Sequence, residues 1–324
     1  MNTKIVYVIV SSDNDIYTEQ MYMSMWSCIK HNPDAEIVIL ADDLTLKRLD
    51  VYPEIRSMAE KIVVEPFPLE MSNVQKSRIL KTNIPKYVTD PFLYVDVDTV
   101  FCGAIDIIDS LDTEIALVED RHVKFYSQTG MLKKIMTRSY NIFGRMPKIN
   151  AKYYNGGVIY CKNTKIGKAF FEKWYQNWTR YIDATNDYHD QTALFESTEE
   201  YHKHVKSMGN AYNVQVGAYK NPQVRTGVIL HFYNTCIGIY DDLHPFFDKT
   251  YYDKIKAAKT LGDDVANDIL LCKNSFNYNF YNKKYTFIPK VFLDFYRVLR
   301  WKTYYQLIRY PAYYFYKIKL RGRI

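Results

Sequence analysis

Four apolar residues lead directly into two carboxylates in the segment Phe92-Leu-Tyr-Val-Asp-Val-Asp98. The apolar run predicts a buried strand, and residues two apart on a strand share a face, so Asp96 and Asp98 converge. Because unpaired buried carboxylates are costly, we expect a cation between them. Mg²⁺ or Mn²⁺ binds one or two carboxylates together with phosphate oxygens, so the segment indicates nucleotide or phosphate chemistry. The alternative is that one Asp caps a turn and the other is solvated.

Short apolar strands alternate with helical patterns along the first part of the chain. Residues 4–10, 37–40 and 61–64 are predicted strands, and 18–31 is a predicted helix. This alternation predicts an α/β fold with a mostly parallel, Rossmann-like sheet flanked by helices. Ligands of such sheets bind beyond the carboxyl ends of the strands, where residues 11–15 and the two carboxylates would lie together.

Further segments are predicted to place functional side chains or glycines near the carboxyl ends of the strands. Residues 154–160, with the glycine pair Gly156-Gly157, predict a tight turn that enters a strand. Residues 227–232 predict a strand that delivers His231, and Asp190 begins a predicted helix. A buried histidine between two apolar neighbours is also compatible with a simple core position.

Composition separates the end of the chain from the rest. Of 324 residues, 48% are hydrophobic, enough for a substantial core, while residues 287–324 carry nine Lys or Arg against the single Asp294. This local charge of +8 exceeds the +7 of the whole chain. The same segment is rich in Tyr, Phe and Trp, which favours one or two helices on an anionic membrane surface, starting near Pro289 and interrupted at Pro311. Packing of these aromatics on the main domain is the alternative.

Five widely spaced cysteines without a Cys-x-x-Cys pair favour a reducing compartment. The longest early apolar run, 5–10, is too short for a signal segment. We therefore expect a cytoplasmic protein, peripheral on the inner face of the cell membrane.

The separated motifs together resemble GT-A-type nucleotide-sugar glycosyltransferases, and are most similar to glycosyltransferase family 8. The motifs, in chain order within residues 4–245, are Ser12-Asp-Asn-Asp-Ile-Tyr17, Lys76-Ser-Arg78, Tyr94-Val-Asp-Val-Asp98, Asn155-Gly-Gly157, Asp190-Gln191 and Leu230-His-Phe232. The resemblance implies a GT-A fold over residues 1–250. The composition then predicts a helical connection over 251–286 and the basic aromatic extension over 287–324.

The resemblance also implies a role for each motif. Asp96, Asp98 and His231 would bind Mn²⁺ or Mg²⁺, and Asp190 and Gln191 would be catalytic. The positions implied to bind the donor are Ser12, Asp13, Asp15, Tyr17, Lys76, Arg78, Val97, Asn155, Gly156 and Gly157. Tyr17 would stack on the base, and the glycines would let the backbone approach the sugar.

The implied reaction moves a hexose from a UDP-sugar to a surface-polysaccharide or lipopolysaccharide acceptor, which is a glycan or a lipid-linked glycan. Retention is implied by Asp190-Gln191, whereas an inverting enzyme would use Asp190 as general base. One departure concerns the late family motif, because no Lys-Pro-Trp follows His231, so the usual phosphate-binding lysine is missing or is supplied from elsewhere in the chain.

Two other functions compete with this interpretation. Asp96-Val-Asp-Thr-Val100 also fits the nucleophile motif of haloacid-dehalogenase-type phosphohydrolases, but the acidic segment 262–268 follows a helical pattern where that class needs a strand. A nucleic-acid-binding protein would use the basic aromatic extension. That function leaves the ordered acidic motifs unexplained, so we expect no nucleic-acid partner.

Overall fold

The computed structural model describes residues 1–128, 131–216, 226–233, 237, 245–269 and 305–321. The labelled strands of this part of the chain are β1 (Lys4–Ile9), β2 (Ile37–Asp42), β3 (Ala59–Glu65), β4 (Phe92–Val95), β5 (Thr99–Phe101), β6 (Ile115–Glu119), β7 (Tyr154–Cys161), β8 (Val205–Ser207), β9 (Val214–Val216) and β10 (Ile229–Phe232). The labelled α-helices are α1 (Tyr17–His31), α2 (Asp43–Leu49), α3 (Pro53–Met58), α4 (Asn73–Thr82), α5 (Ile84–Tyr87), α6 (Leu132–Phe143), α7 (Lys165–Thr185), α8 (Gln191–Glu200), α9 (Lys249–Ala258) and α10 (Tyr305–Arg321).

The main sheet has seven strands in the order β3-β2-β1-β4-β7-β6-β8. β1 is parallel to β2 and β4, β2 is parallel to β3, and β6 is parallel to β8, whereas β7 is antiparallel to both of its neighbours. Every residue of β2, β4 and β7 is buried, as expected for strands covered by helices on both faces. The predicted mostly parallel α/β sheet is confirmed.

A second, three-stranded sheet, β5-β10-β9, lies directly after the Asp96–Asp98 segment. β5 begins at the residue that follows Asp98 and pairs antiparallel with β10, with His231 opposite Thr99. β9 pairs in parallel on the other side of β10. The sequence did not predict β5 or β9, which have three residues each, but their pairing brings the late histidine to the two carboxylates.

The glycine pair lies inside strand β7, so the predicted turn at this position is wrong. The register between β6 and β7 shifts between Leu117 and Val118, next to the glycines. The irregularity accommodates Gly156 and Gly157 within the strand without a chain reversal. The glycines therefore serve the close approach of other side chains.

The C-terminal segments pack on the sheet domain wherever the structure describes them. In α9, Tyr252 and Ile255 are fully buried in the same core as α1. In α10, Tyr313 is buried between α6 and the segment before it, and its hydroxyl donates to the Pro147 carbonyl at 2.7 Å. The division at residues 250 and 286 stays a prediction, and residues 270–304, which include Pro289, lie outside the described part.

Helix α10 continues through Pro311, so the predicted interruption there is wrong. Proline removes one backbone hydrogen bond, and the loss is compatible with a helix that is anchored by tertiary contacts. Such contacts flank the proline, because Tyr310 packs edge-on against Tyr126 and Tyr313 packs edge-on against Phe125. Among the described helices, none is both long enough and apolar enough to cross a membrane.

Candidate active site

Three predicted metal ligands converge where the two sheets meet. Asp96 follows β4, and its backbone N–H donates to the Gly157 carbonyl at 2.7 Å, which holds it beside β7. Asp98 precedes β5, and its carbonyl accepts the Phe232 N–H at 2.8 Å. The pairing of β5 with β10 therefore fixes His231 opposite the carboxylates. One donor atom from each of the three side chains lies within 4.8 Å of the other two.

The cluster has the donor set of a divalent cation site. His231 Nε2 is 3.2 Å from Asp98 Oδ1 and 3.7 Å from Asp96 Oδ2. Two carboxylate oxygens and one imidazole nitrogen suit Mn²⁺ or Mg²⁺, and three protein ligands leave positions for phosphate oxygens. GT-A glycosyltransferases generally use such a metal with a nucleotide-sugar donor, and these residues fit that requirement.

The charges within the cluster shift its pKa values toward the ionised forms. Burial raises the pKa of the Asp96 carboxyl, but Lys81 and then His231 lower it, and the net effect is a pKa below the usual range. Burial lowers the pKa of the His231 imidazole. The carboxylates of Asp98 and Asp96 raise it by more than burial lowers it, so the net pKa lies above the usual value. The shift of His231 reflects the attraction of the two carboxylates for positive charge, and the shift of Asp96 reflects the cations already beside it.

Two cations on α4 connect the metal cluster to the predicted catalytic Asp190. Lys81 Nζ is 3.2 Å from Asp96 Oδ1 and 3.6 Å from Asp190 Oδ2, while Arg78 Nε is 3.3 Å from Asp190 Oδ1. Lys81 also lies over the Tyr94 ring, whose hydroxyl donates to Asp96. Burial raises the pKa of the Asp190 carboxyl, but Arg78 and Lys81 lower it to a net value below the usual range. Asp190 is therefore held ionised.

Gln191 contacts the glycine-containing strand rather than the metal cluster. Its side-chain oxygen accepts the Gly156 N–H at 3.3 Å, and its side-chain nitrogen donates to the Tyr154 carbonyl. Asn155 lies on the same strand, buried, and its oxygen accepts the Gly157 N–H at 2.9 Å. The structure thus brings the predicted sugar-site segments together with the predicted metal ligands.

The first loop is ordered by one of its own predicted donor-binding residues. Asp15 accepts hydrogen bonds from the Ser11 hydroxyl at 2.6 Å and from the Ser12 backbone at 2.7 Å. Asp13 is exposed and paired with Arg48, and Tyr17 is 38% exposed at the start of α1. Asp13 and Tyr17 are accessible to a ligand, whereas Asp15 shapes the loop.

Lys76 and Val97 are placed differently from the other predicted donor-binding residues. The Lys76 side chain is 3% exposed, and its ammonium lies 3.0 Å from the carboxylate of the equally buried Asp42. Val97 is half-buried between the two predicted metal-ligand carboxylates and packs against the core. The roles of both residues in donor binding stay predictions.

Lys81 is a site residue that the sequence did not single out. It lies in a helical stretch with one other lysine, Lys76, and nothing in its spacing distinguishes it from a solvated residue. Burial of 96% of its side chain beside two carboxylates identifies it.

A mostly parallel sheet with this acidic cluster at the carboxyl end of a central strand is the arrangement expected of a GT-A-fold glycosyltransferase. The sequence matches the model of glycosyl transferase family 8 over residues 8–236, and the chain belongs to that family. No curated protein matches the chain.

Solved structures share the fold at low sequence identity. The galactosyltransferase LgtC, in complex with donor and acceptor sugar analogs, superposes with a TM-score of 0.54 at 13% identity, over 82% of this chain and 100% of LgtC. The bifunctional glycosyltransferase WbbM in its apo form superposes with a TM-score of 0.53 at 13% identity, over 82% of this chain and 50% of WbbM. These similarities support the GT-A fold.

Proposed function

We propose that this glycosyltransferase moves a hexose from a UDP-sugar to a surface-polysaccharide or lipopolysaccharide acceptor, with retention and with a divalent metal. The convergence of Asp96, Asp98 and His231 carries the proposal, and the strand that leads into Asp96 is paired with β1, which leads into the predicted donor loop. These three side chains would hold Mn²⁺ or Mg²⁺. When bound, such a cation acts as a Lewis acid that stabilises the charge of the departing diphosphate.

The chain's own residues divide the remaining tasks. Tyr17 and the Ser12–Asp15 loop would bind the nucleoside, since Asp13 and Tyr17 are accessible and Asp15 fixes the loop. Asn155, Gly156 and Gly157 would line the sugar side, because the absence of side chains on the glycines lets His231, Asp96 and Gln191 pack against this strand.

The surroundings of Asp190 favour retention over inversion. A general base works best with a pKa near the operating pH, whereas Arg78 and Lys81 hold the pKa of Asp190 below the usual range. Asp190 is thus suited to a fixed charge that orients the sugar. Gln191, which is hydrogen-bonded to the strand backbone, is suited to a position against the reacting centre.

The donor site is tested by calorimetric titration of UDP with Mn²⁺ and again with EDTA. We expect binding with Mn²⁺ that is lost in EDTA and is reduced in Asp98→Asn, because this change removes one anionic ligand of the metal. Asp264→Asn is the matched control, since Asp264 forms an exposed pair with Lys254. Equal UDP affinity in EDTA, or full activity of Asp98→Asn, would contradict the metal-dependent proposal.

The stereochemical outcome has its own measurement. Proton NMR of the first product formed from a UDP-hexose should show the anomeric configuration of the donor. An inverted anomer at the earliest time point would refute retention and return Asp190 to the role of general base.

We further propose that α10 holds the protein on an anionic membrane surface at the inner face of the cell membrane. The helix buries Tyr313 and Leu320 against the domain, while Phe315 is 62% and Ile318 is 71% exposed. Tyr314 and Lys319 are also exposed. Aromatic and apolar side chains on an outward face, with lysines beside them, fit the headgroup region of anionic lipids.

Replacing the two exposed apolar side chains tests this surface. We expect Phe315→Ser/Ile318→Ser to weaken co-sedimentation with phosphatidylglycerol-containing vesicles about 10- to 100-fold, because each side chain loses most of its transfer free energy. Leu69→Ser/Ile107→Ser is the matched control, since both residues are exposed and lie away from α10. Unchanged sedimentation of the α10 variant would refute the membrane surface.

Family membership decides against the phosphohydrolase interpretation of Asp96 and Asp98. The acceptor is proposed to be a glycan or a lipid-linked glycan, and the latter would agree with membrane attachment. That the protein has no nucleic-acid partner stays a prediction.

A further inference from the structure

A line of buried polar side chains runs behind the metal cluster. Asp120 Oδ1 accepts from Asn155 Nδ2 at 3.2 Å, and Asn155 Oδ1 accepts from Asn213 Nδ2 at 2.9 Å. Asn213 Oδ1 lies 3.1 Å from His231 Nδ1. Asn213 is fully buried and the other three residues are at most 9% exposed, so each polar atom depends on its neighbour in the line.

The direction of these hydrogen bonds is fixed at one end by the backbone. The Gly157 N–H is a donor only, and it contacts Asn155 at 2.9 Å, so that atom of Asn155 must be the amide oxygen. The same oxygen is the partner of Asn213, which must therefore present its NH₂ group there. The Asn213 oxygen is left facing His231, and its partner Nδ1 must carry the proton.

The hydrogen bond from Nδ1 to Asn213 also determines the role of the other ring nitrogen of His231, Nε2. With Nδ1 held as the donor to Asn213, Nε2 is the ring nitrogen left to bind a cation beside Asp98 and Asp96, at 3.2 and 3.7 Å. Either a proton on Nε2 or a metal ion among the three groups relieves the repulsion between this nitrogen and the two carboxylates, and only the unprotonated Nε2 can bind a metal. Metal-bound histidines commonly donate their second N–H to an outer partner in this way.

We infer that Asn213 is a positioning residue that sets the tautomer and ring orientation of His231 for metal binding. The inference rests on the proposed metal-dependent function. The position of Asn213 is fixed by its surroundings. It directly precedes β9 in the small sheet, and its backbone carbonyl lies 2.8 Å from His122 Nε2. The sequence gives no sign of the role, since the two residues are eighteen positions apart.

Direct Mn²⁺ binding, followed by the electron paramagnetic resonance signal of the free ion, tests the inference without activity. We expect Asn213→Ala to bind Mn²⁺ about 10- to 100-fold more weakly than wild type, as is typical when an outer partner of a ligand is lost. Asn177→Ala is the matched control, because Asn177 is also buried and hydrogen-bonded, to Ser197 at 3.0 Å, on α7. We expect the control to lose thermal stability but to keep wild-type Mn²⁺ affinity.

The outcomes separate this inference from the proposed function. Absence of Mn²⁺ binding by wild-type protein would overturn both. Weak binding by His231→Ala together with wild-type affinity in Asn213→Ala would overturn the role of Asn213 alone, as would equal losses in Asn213→Ala and Asn177→Ala.

A second measurement uses wild-type protein and is independent of whether Asn213→Ala folds. In ¹⁵N-histidine NMR spectra with saturating Mg²⁺ and UDP, the His231 ring, assigned by its loss in His231→Gln, should carry its proton on Nδ1 only. A proton on Nε2 would overturn the inference.

Discussion

Gly157→Ala is expected to remove Mn²⁺-dependent UDP binding while leaving the sheet in place. A Cβ atom at this position would lie 2.2 Å from His231 Cε1 and 2.9 Å from Asp96 Oδ2, far inside van der Waals contact. The backbone of β7 is buried between two strands and has little room to move, so the histidine must be displaced. Because His231 and Asp96 are both proposed metal ligands, we expect Mn²⁺ affinity to fall at least about 100-fold.

Alanine substitutions at two other glycines, Gly103 and Gly156, serve as controls for Gly157→Ala. Gly103→Ala should bind Mn²⁺ like wild type, since the nearest atoms to its Cβ are those of Val228, at 3.8 Å or more. Gly156→Ala should keep the metal but disturb the sugar side, because its Cβ would meet Leu194 at 3.1 Å and Gln191 at 3.7 Å. Calorimetry with Mn²⁺ and UDP checks all three, and wild-type affinity in Gly157→Ala would show that His231 is not needed in its present position.

The parts of the fold that were predictable are those in which one local pattern decides the outcome. The apolar run 92–95 was recognisable as a strand because it is short, apolar and ends in polar residues, and the carboxylates at its end favoured a cation site over a turn cap and a solvated charge. The parallel sheet followed from the alternation of strands and helices. The prediction that residues far apart in sequence form one site came from the order of the motifs. That order is evidence of resemblance to a family and not of local physical chemistry.

The rest depended on tertiary contacts that leave no local pattern. Gly156 and Gly157 suggest a turn by composition, but β4 and β6 on either side keep them in a strand. Pro311 suggests a helix break, but the contacts of Tyr313 hold the helix together. Asn213 and Lys81 are ordinary polar residues in the sequence, and only folding shows that each is buried against a proposed metal ligand.

Lys81→Met is the second substitution from which we expect a large effect. The change keeps the length of the side chain but removes the ammonium that lies between Asp96 and Asp190, at 3.2 and 3.6 Å. Removing one partner of a buried ion pair is expected to cost about 3 kcal/mol in the free energy of unfolding, since the other charge stays behind. We also expect the rate of sugar transfer to fall about 100-fold, because a preorganised charge is lost from the site.

Lys76→Met on the same helix separates stability from function. Lys76 and Asp42 are more deeply buried than the Lys81 pairs, so we expect a stability loss of about 3–5 kcal/mol. Its contacts lie outside the metal and sugar clusters, so folded Lys76→Met should retain the affinity for UDP with Mn²⁺. Thermal unfolding, UDP calorimetry and transfer rates on both variants check these expectations. Weaker UDP binding by Lys76→Met would support the predicted role of Lys76 in donor binding. If Lys81→Met lost only stability and kept the transfer rate, the charge of Lys81 would serve only to balance Asp96 and Asp190.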